Sequence, residues 1–144
     1  MCIRDRGGAA IALFSGLFHW FPKMTGKMYN EFWGKVSFWF FIIGFNVTFL
    51  AQFVAGYNGM TRRYHDYETI YAGWNLISTV GSWGIAIGIL VMIANFLISA
   101  KRGAKAPANP WGGKTLEWQA ESPPVLENFK STPTVTTGPY EYGV

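Results

Sequence analysis

Two adjacent arginines, Arg62 and Arg63, stand in the run Gly59-Met60-Thr61-Arg62-Arg63-Tyr64, directly after an uncharged apolar stretch. A guanidinium is a planar fork of donors matched to a carboxylate, which leaves the pair two chemistries. One is local charge pairing with Asp66 and Glu68, worth about 0–1 kcal/mol if exposed. The other is capture of a bound carboxylate anion. The remaining groups that can do chemistry are few. His19 reads as structural at a helix end, and His65 as a solvated or hydrogen-bonded loop residue. A single cysteine, Cys2, builds neither a disulfide framework nor a thiolate metal site. With neither imidazole placed as a ligand and no thiolate site, no metal ligand is assigned.

Positioning these groups falls to apolar blocks. The first runs over residues 8–21, too short to span a bilayer that takes about twenty residues, and reads as a buried helix or the end of a longer one. The second, residues 36–57, and the third, residues 74–100, carry no charge and are long enough to span. Residues 1–6 put three charges against the first block and read as an artefact or truncation scar. Residues 7–100 form the membrane part. Residues 101–144, which hold six prolines, are a tail that cannot be one long helix. That tail is expected to be extended and cytoplasmic, disordered or laid across a partner.

The flanks set the topology. Lys23, Lys27 and Lys35 precede the second block against the single acid Glu31, and Lys101, Arg102 and Lys105 follow the third. Both flanks are expected inside by the positive-inside rule, and the charge-balanced loop of residues 58–73 outside. Trp20, Tyr29 and Trp33 on one side, and Tyr64, Tyr67, Tyr71 and Trp74 on the other, sit where interfacial aromatic belts belong. Lys35 reads as a snorkelling side chain.

Inside the second block, Thr48 and Gln52 share a helix face. They read as bonds to a neighbouring helix, or as a polar path through the bundle, and Asn46 is a further polar residue of the same span. Gly84 and Gly88 give the third block a G-x-x-x-G spacing that allows close backbone packing in lipid. These faces expect neighbours, so a larger assembly is implied.

Charged residues make up 14% of the chain and the net charge is +4, with the basic residues at block edges. No basic stripe points to nucleic acid.

Three sets of strings, in this order, resemble subunit I of the haem–copper terminal oxidases: His19-Trp20-Phe21-Pro22; Gly59-Met60 with Arg62-Arg63-Tyr64; and Asn109-Pro110-Trp111-Gly112 with Thr115-Leu116-Glu117-Trp118 and Ser122-Pro123-Pro124. The match covers about residues 8–130. The resemblance implies an all-α membrane protein in which the first block ends the tenth helix of a twelve-helix bundle and the two spans are the eleventh and twelfth. It implies a bacterial cytoplasmic membrane, with the carboxy terminus cytoplasmic. It implies that Arg62 and Arg63 hydrogen-bond haem propionates, and that haem and copper belong to the full subunit while this piece supplies none of their ligands and is inactive alone. Partners would be the rest of subunit I, other oxidase subunits, membrane lipid, and cytochrome c as electron donor. Many relatives that oxidise cytochrome c carry proline before the arginines. Thr61 stands there instead, which leaves quinol open as the donor. A non-catalytic accessory or assembly protein is the reading from a different class.

Overall fold

A computed structural model describes residues 3–134 and 138, with side chains from residue 7 onward. Four helices follow one another: α1 (Ile3–Thr25), α2 (Glu31–Tyr57), α3 (Ala72–Arg102), preceded by a 3-10 turn over Thr69–Tyr71, and the short α4 (Leu116–Gln119). Among the described residues the only β pairing is an isolated antiparallel bridge, Lys27 with Lys105. α2 and the segment Thr69–Arg102 are long and apolar enough to cross a membrane. At 1.5 Å per residue α2 runs about 40 Å and α3 about 46 Å, against a hydrocarbon core of about 30 Å.

The helices outrun the apolar blocks that foretold them. α1 continues through Pro22 to Thr25. Proline removes one ladder bond, but the turn beyond it is closed by the Gly26 amide to the Pro22 carbonyl, 2.9 Å, and by Thr25 Oγ1 to the Phe21 carbonyl, 2.8 Å. Helical backbone also begins at Ile3, within the segment that the sequence reading set aside. Hydropathy marks only where apolar side chains stop, not where backbone bonds do. At the start of α2, Lys35 lies 3.6 Å from Glu31 one turn earlier, as an exposed pair.

The chain divides into two compact units. The first comprises Met1–Gly8 and Glu31–Asn95. Its core is the seam between α2 and α3. The buried residues of α2 are Gly34, Ser37, Phe41, Gly44, Thr48, Ala51 and Ala55, alternating three and four apart. That spacing keeps one stripe facing one partner. Most of the stripe is small, so the backbones touch. A Cβ on Gly44 would lie 2.6 Å from the Ile85 nitrogen and 2.7 Å from the Gly81 oxygen, and one on Gly88 would lie 2.8 Å from the Phe41 nitrogen. Thr48 meets Gly81 while Ser37 meets Gly88, so the helices are antiparallel.

The sequence pointed to Gly84 and Gly88. Both lie at the seam, but the tightest approach runs through Gly44 and Gly81, on opposite helices. Ser37 Oγ donates to the Gly88 carbonyl at 2.8 Å, and Thr48 Oγ1 reaches the Gly44 carbonyl at 2.8 Å and the Ser78 carbonyl at 3.3 Å. Each buried hydroxyl is thus satisfied by backbone. Thr48 makes the interhelical bond expected of it. Gln52 and Asn46 are exposed, and Asn46 bonds only back to the Ile42 carbonyl of its own helix, 2.7 Å.

The second unit comprises Ala9–Asn30 and Phe96–Val144. Phe18, Phe21, Tyr29 and Phe96 pack ring to ring, with Phe21 and Phe96 stacked at 4.6 Å. The described part of the tail is folded onto this chain's own helix end. Pairing of residues 26–28 with 104–106 starts it: the Met28 amide donates to the Ala104 carbonyl at 2.8 Å and the Ala106 amide to the Gly26 carbonyl at 2.9 Å. The prolines limit helix to the four residues of α4, as their density required.

Candidate functional site

α2 ends in a Schellman motif, with Gly59 in the left-handed region at φ 100. Its amide donates to the Gly56 carbonyl, and the Met60 amide to the Ala55 carbonyl, each at 3.1 Å. The Gly-Met that opens the arginine motif is therefore a helix stop. It delivers the chain into two bends, at Arg62 and Arg63. Arg63 itself lies at φ 61, a conformation that costs a non-glycine residue on the order of 1 kcal/mol and concentrates at functional sites.

Both guanidinium groups are exposed. Among the described residues, no carboxylate lies within ion-pair distance of either, and the ion pairs present join Lys35 to Glu31 and Lys130 to Glu121. Asp66 accepts from the Tyr67 amide at 2.8 Å instead of turning to an arginine. The local charge pairing left open by the sequence is not formed. The loop is held from both flanks by other groups. Tyr71 Oη donates to the Asn58 carbonyl at 2.9 Å. Asn75 Nδ2 donates to the Tyr71 carbonyl at 3.0 Å and reaches the Met60 sulfur at 3.7 Å, and Tyr64 Oη donates to Asn75 Oδ1 at 3.3 Å. His65 is exposed on the same loop. Among the described residues no three His, Cys, Asp or Glu side chains stand together as a metal-binding group.

The other strings singled out in the sequence meet in the second unit. Trp111 stacks on His19 at 5.9 Å and donates its indole N–H to the His19 carbonyl at 2.9 Å, while Trp118 meets the same imidazole edge-on at 4.9 Å. His19 is a packing platform, as its place at a helix end suggested. Asn109 closes the Asn-Pro-Trp-Gly turn: its Oδ1 accepts from the Gly113 amide at 2.9 Å and its Nδ2 donates to the Gly113 carbonyl at 2.6 Å. Ser122 Oγ donates to the Ala108 carbonyl at 3.2 Å.

At the centre lies Lys23, a residue the motif reading passed over. It is 9% exposed. Its ammonium donates to the Ala108 carbonyl at 3.2 Å and to the Ala120 carbonyl, and sits 5.4 Å from the Trp118 ring centroid. Burial lowers its pKa from the ordinary lysine value, and the charge of Glu117 opposes the shift in part. The available signal was a lysine directly after the helix-end proline, in a stretch otherwise apolar or small.

Two closely packed apolar helices, joined by a loop that presents an unpaired arginine doublet, define a segment of a helical membrane protein. More than half of the chain, residues 6–84, matches the family described as Cytochrome C and Quinol oxidase polypeptide I, and the chain belongs to that family. It is similar to cytochrome c oxidase subunit 1 of Synechocystis sp. and of Thermostichus vulcanus, 44% identical to each over 138 residues. That alignment covers 96% of this chain and 25% of each relative. It is also similar to cytochrome bo(3) ubiquinol oxidase subunit 1 of Buchnera aphidicola, at 39% identity over 90% of this chain and 20% of that relative. The chain thus spans about a quarter of the length of the relatives it matches.

Proposed function

We propose that this chain is the carboxy-terminal part of cytochrome c oxidase subunit I. In this reading α1, α2 and α3 are the tenth to twelfth helices of a twelve-helix bundle. The protein lies in a bacterial cytoplasmic membrane, with residues 101–144 on the cytoplasmic side. It works with the rest of subunit I, the other oxidase subunits, surrounding lipid, and cytochrome c as electron donor. The haem–copper centre of the full subunit supplies the reduction of dioxygen to water, coupled to proton pumping, and its metal ligands come from residues outside this chain.

Arg62 and Arg63 hold and orient the haem propionates. The observation that carries this role is an adjacent pair of exposed guanidiniums with no protein carboxylate against them, on a loop fixed at both flanks. That donor set fits two carboxylates. Each positive charge favours the ionised propionate and also the reduced haem, which carries one more negative charge. For unit charges about 10 Å apart at an effective dielectric of about 20, such an interaction is worth about 1.7 kcal/mol.

The test is Arg62→Leu and Arg63→Leu, made separately in the complete oxidase. Each is expected to lower a haem potential by a shift on the order of tenfold in the redox equilibrium, about 59 mV for a one-electron couple, and to slow turnover. Unchanged spectra, potentials and rates in both variants would overturn the assignment. Quinol as donor is the second reading, favoured by Thr61 and by the likeness to the Buchnera ubiquinol oxidase subunit. Oxidation of reduced cytochrome c by the purified complex, against oxidation of ubiquinol, separates the two.

A further inference from the structure

We propose that Asn75, assisted by Tyr71, is a positioning residue that sets the aim of the arginine pair. The inference rests on the propionate reading of Arg62 and Arg63. Neither arginine side chain bonds to the described protein, so its direction is delivered wholly by the backbone that carries it. That backbone is tied ahead of the pair at the Asn58 carbonyl, and the side chains of Met60 before the pair and Tyr64 after it are held as well. All three ties end on the 3-10 turn before α3 or on the first turn of α3 itself. Tyr71 takes the Asn58 carbonyl, one of the acceptors left open where α2 ends. The Asn75 amide uses both its ends, Nδ2 toward Met60 and the Tyr71 carbonyl and Oδ1 toward Tyr64. It therefore closes the loop on either side of the two bends. Only asparagine combines an acceptor and a donor at this length.

Loss of this bracket leaves both guanidiniums in place but frees their direction. A group that must sit within hydrogen-bond reach of a carboxylate then spends part of its time elsewhere. The effect on the haem is a fraction of that of deleting the charge.

The experiment compares Asn75→Ala, Tyr71→Phe and Arg62→Leu/Arg63→Leu in the intact complex, alone and combined. Potentials are read by spectroelectrochemical titration, and propionate carboxylate bands by redox-difference infrared spectroscopy. Asn75→Ala is expected to move the haem redox equilibrium about threefold toward the oxidised form, about 28 mV at 59 mV per tenfold. Tyr71→Phe, which removes a single oxygen, moves it less in the same direction. Added to Arg62→Leu/Arg63→Leu, Asn75→Ala produces no further shift, since nothing is left to aim.

If the arginine variants shift the potential while Asn75→Ala and Tyr71→Phe change only thermal stability, the inference fails and the propionate reading stands. An Asn75 shift that adds in full to the arginine shift also overturns it. Should the arginine variants leave the potential unmoved, the propionate reading fails and this inference falls with it. If Asn75→Ala does not assemble, Tyr71→Phe carries the decision by the same criteria.

Discussion

Replacing Gly44 with alanine adds one methyl group, and the surroundings fix what it costs. The new Cβ would lie 2.6 Å from the Ile85 nitrogen, 2.7 Å from the Gly81 oxygen and 2.9 Å from the Gly84 carbonyl carbon. All are backbone atoms, so no side chain can swing away. Restoring ordinary contact near 3.4 Å means parting the helices by about 0.8 Å at this point, and a gap of 0.5–1 Å forfeits a quarter to a half of each dispersion contact it opens. The bond from Thr48 Oγ1 to the Ser78 carbonyl is already 3.3 Å long and would pass out of range. Overpacking costs about 1–3 kcal/mol, and an interhelical hydrogen bond in a membrane protein about 0.6. The expected loss is about 2–3 kcal/mol. The assay is thermal unfolding of the protein in mild detergent, followed by circular dichroism and by the monodisperse peak on size exclusion. Gly56→Ala serves as the control, because a Cβ there meets nothing within 4 Å. A Gly44→Ala protein as stable as the Gly56→Ala protein would refute the account of the seam.

Two further perturbations address the second unit. Because burial holds the Lys23 pKa below its unfolded value of 10.5, the unfolded lysine binds more protons between the lowered pKa and 10.5. Linkage then makes tail docking gain stability as pH rises through that window, and lose it again as pH falls. Limited proteolysis of residues 103–134 should slow in the window, and Lys23→Met should remove that dependence; protection that falls with rising pH would contradict it. Trp111→Phe keeps the stack on His19 but deletes the N–H to its carbonyl. A loss of about 1 kcal/mol is expected, read from thermal unfolding of the tail by hydrogen exchange, and no change would show that water replaces the indole.

Composition made the two long helices plain, since uncharged runs of that length have one economical use in a bilayer. Their ends were less visible. The first apolar block ended at residue 21, yet Thr25 and Gly26 close the turn beyond Pro22 with bonds that no hydropathy profile contains. The seam was half legible: a glycine spacing within α3 can be seen in sequence, but the pairing of Gly44 with Gly81 depends on register between helices. Arg62 and Arg63 stood out because two charges broke an apolar pattern. Asn75 did not, because one asparagine near a helix start has many uses and only the fold brings it to Met60 and Tyr64. The docking of the tail on this chain was not visible for a related reason. Prolines forbid a long helix but say nothing about docking, and the bonds from Lys23 and Trp111 that dock it join residues 85 to 97 positions apart in the chain.

The contact of backbone on backbone between α2 and α3 also acts as a mechanical lock. Sliding α3 along α2 by one turn, about 5.4 Å, would set Ile85 where Gly81 now lies against Thr48, and the side chain has no room there. Piston motion of one helix past the other is thereby blocked. The arginine loop, joined to the end of one helix and the start of the other, cannot rise or sink unless the whole hairpin travels with it. Displacement of the hairpin therefore reaches the loop that carries Arg62 and Arg63 from both of its ends at once.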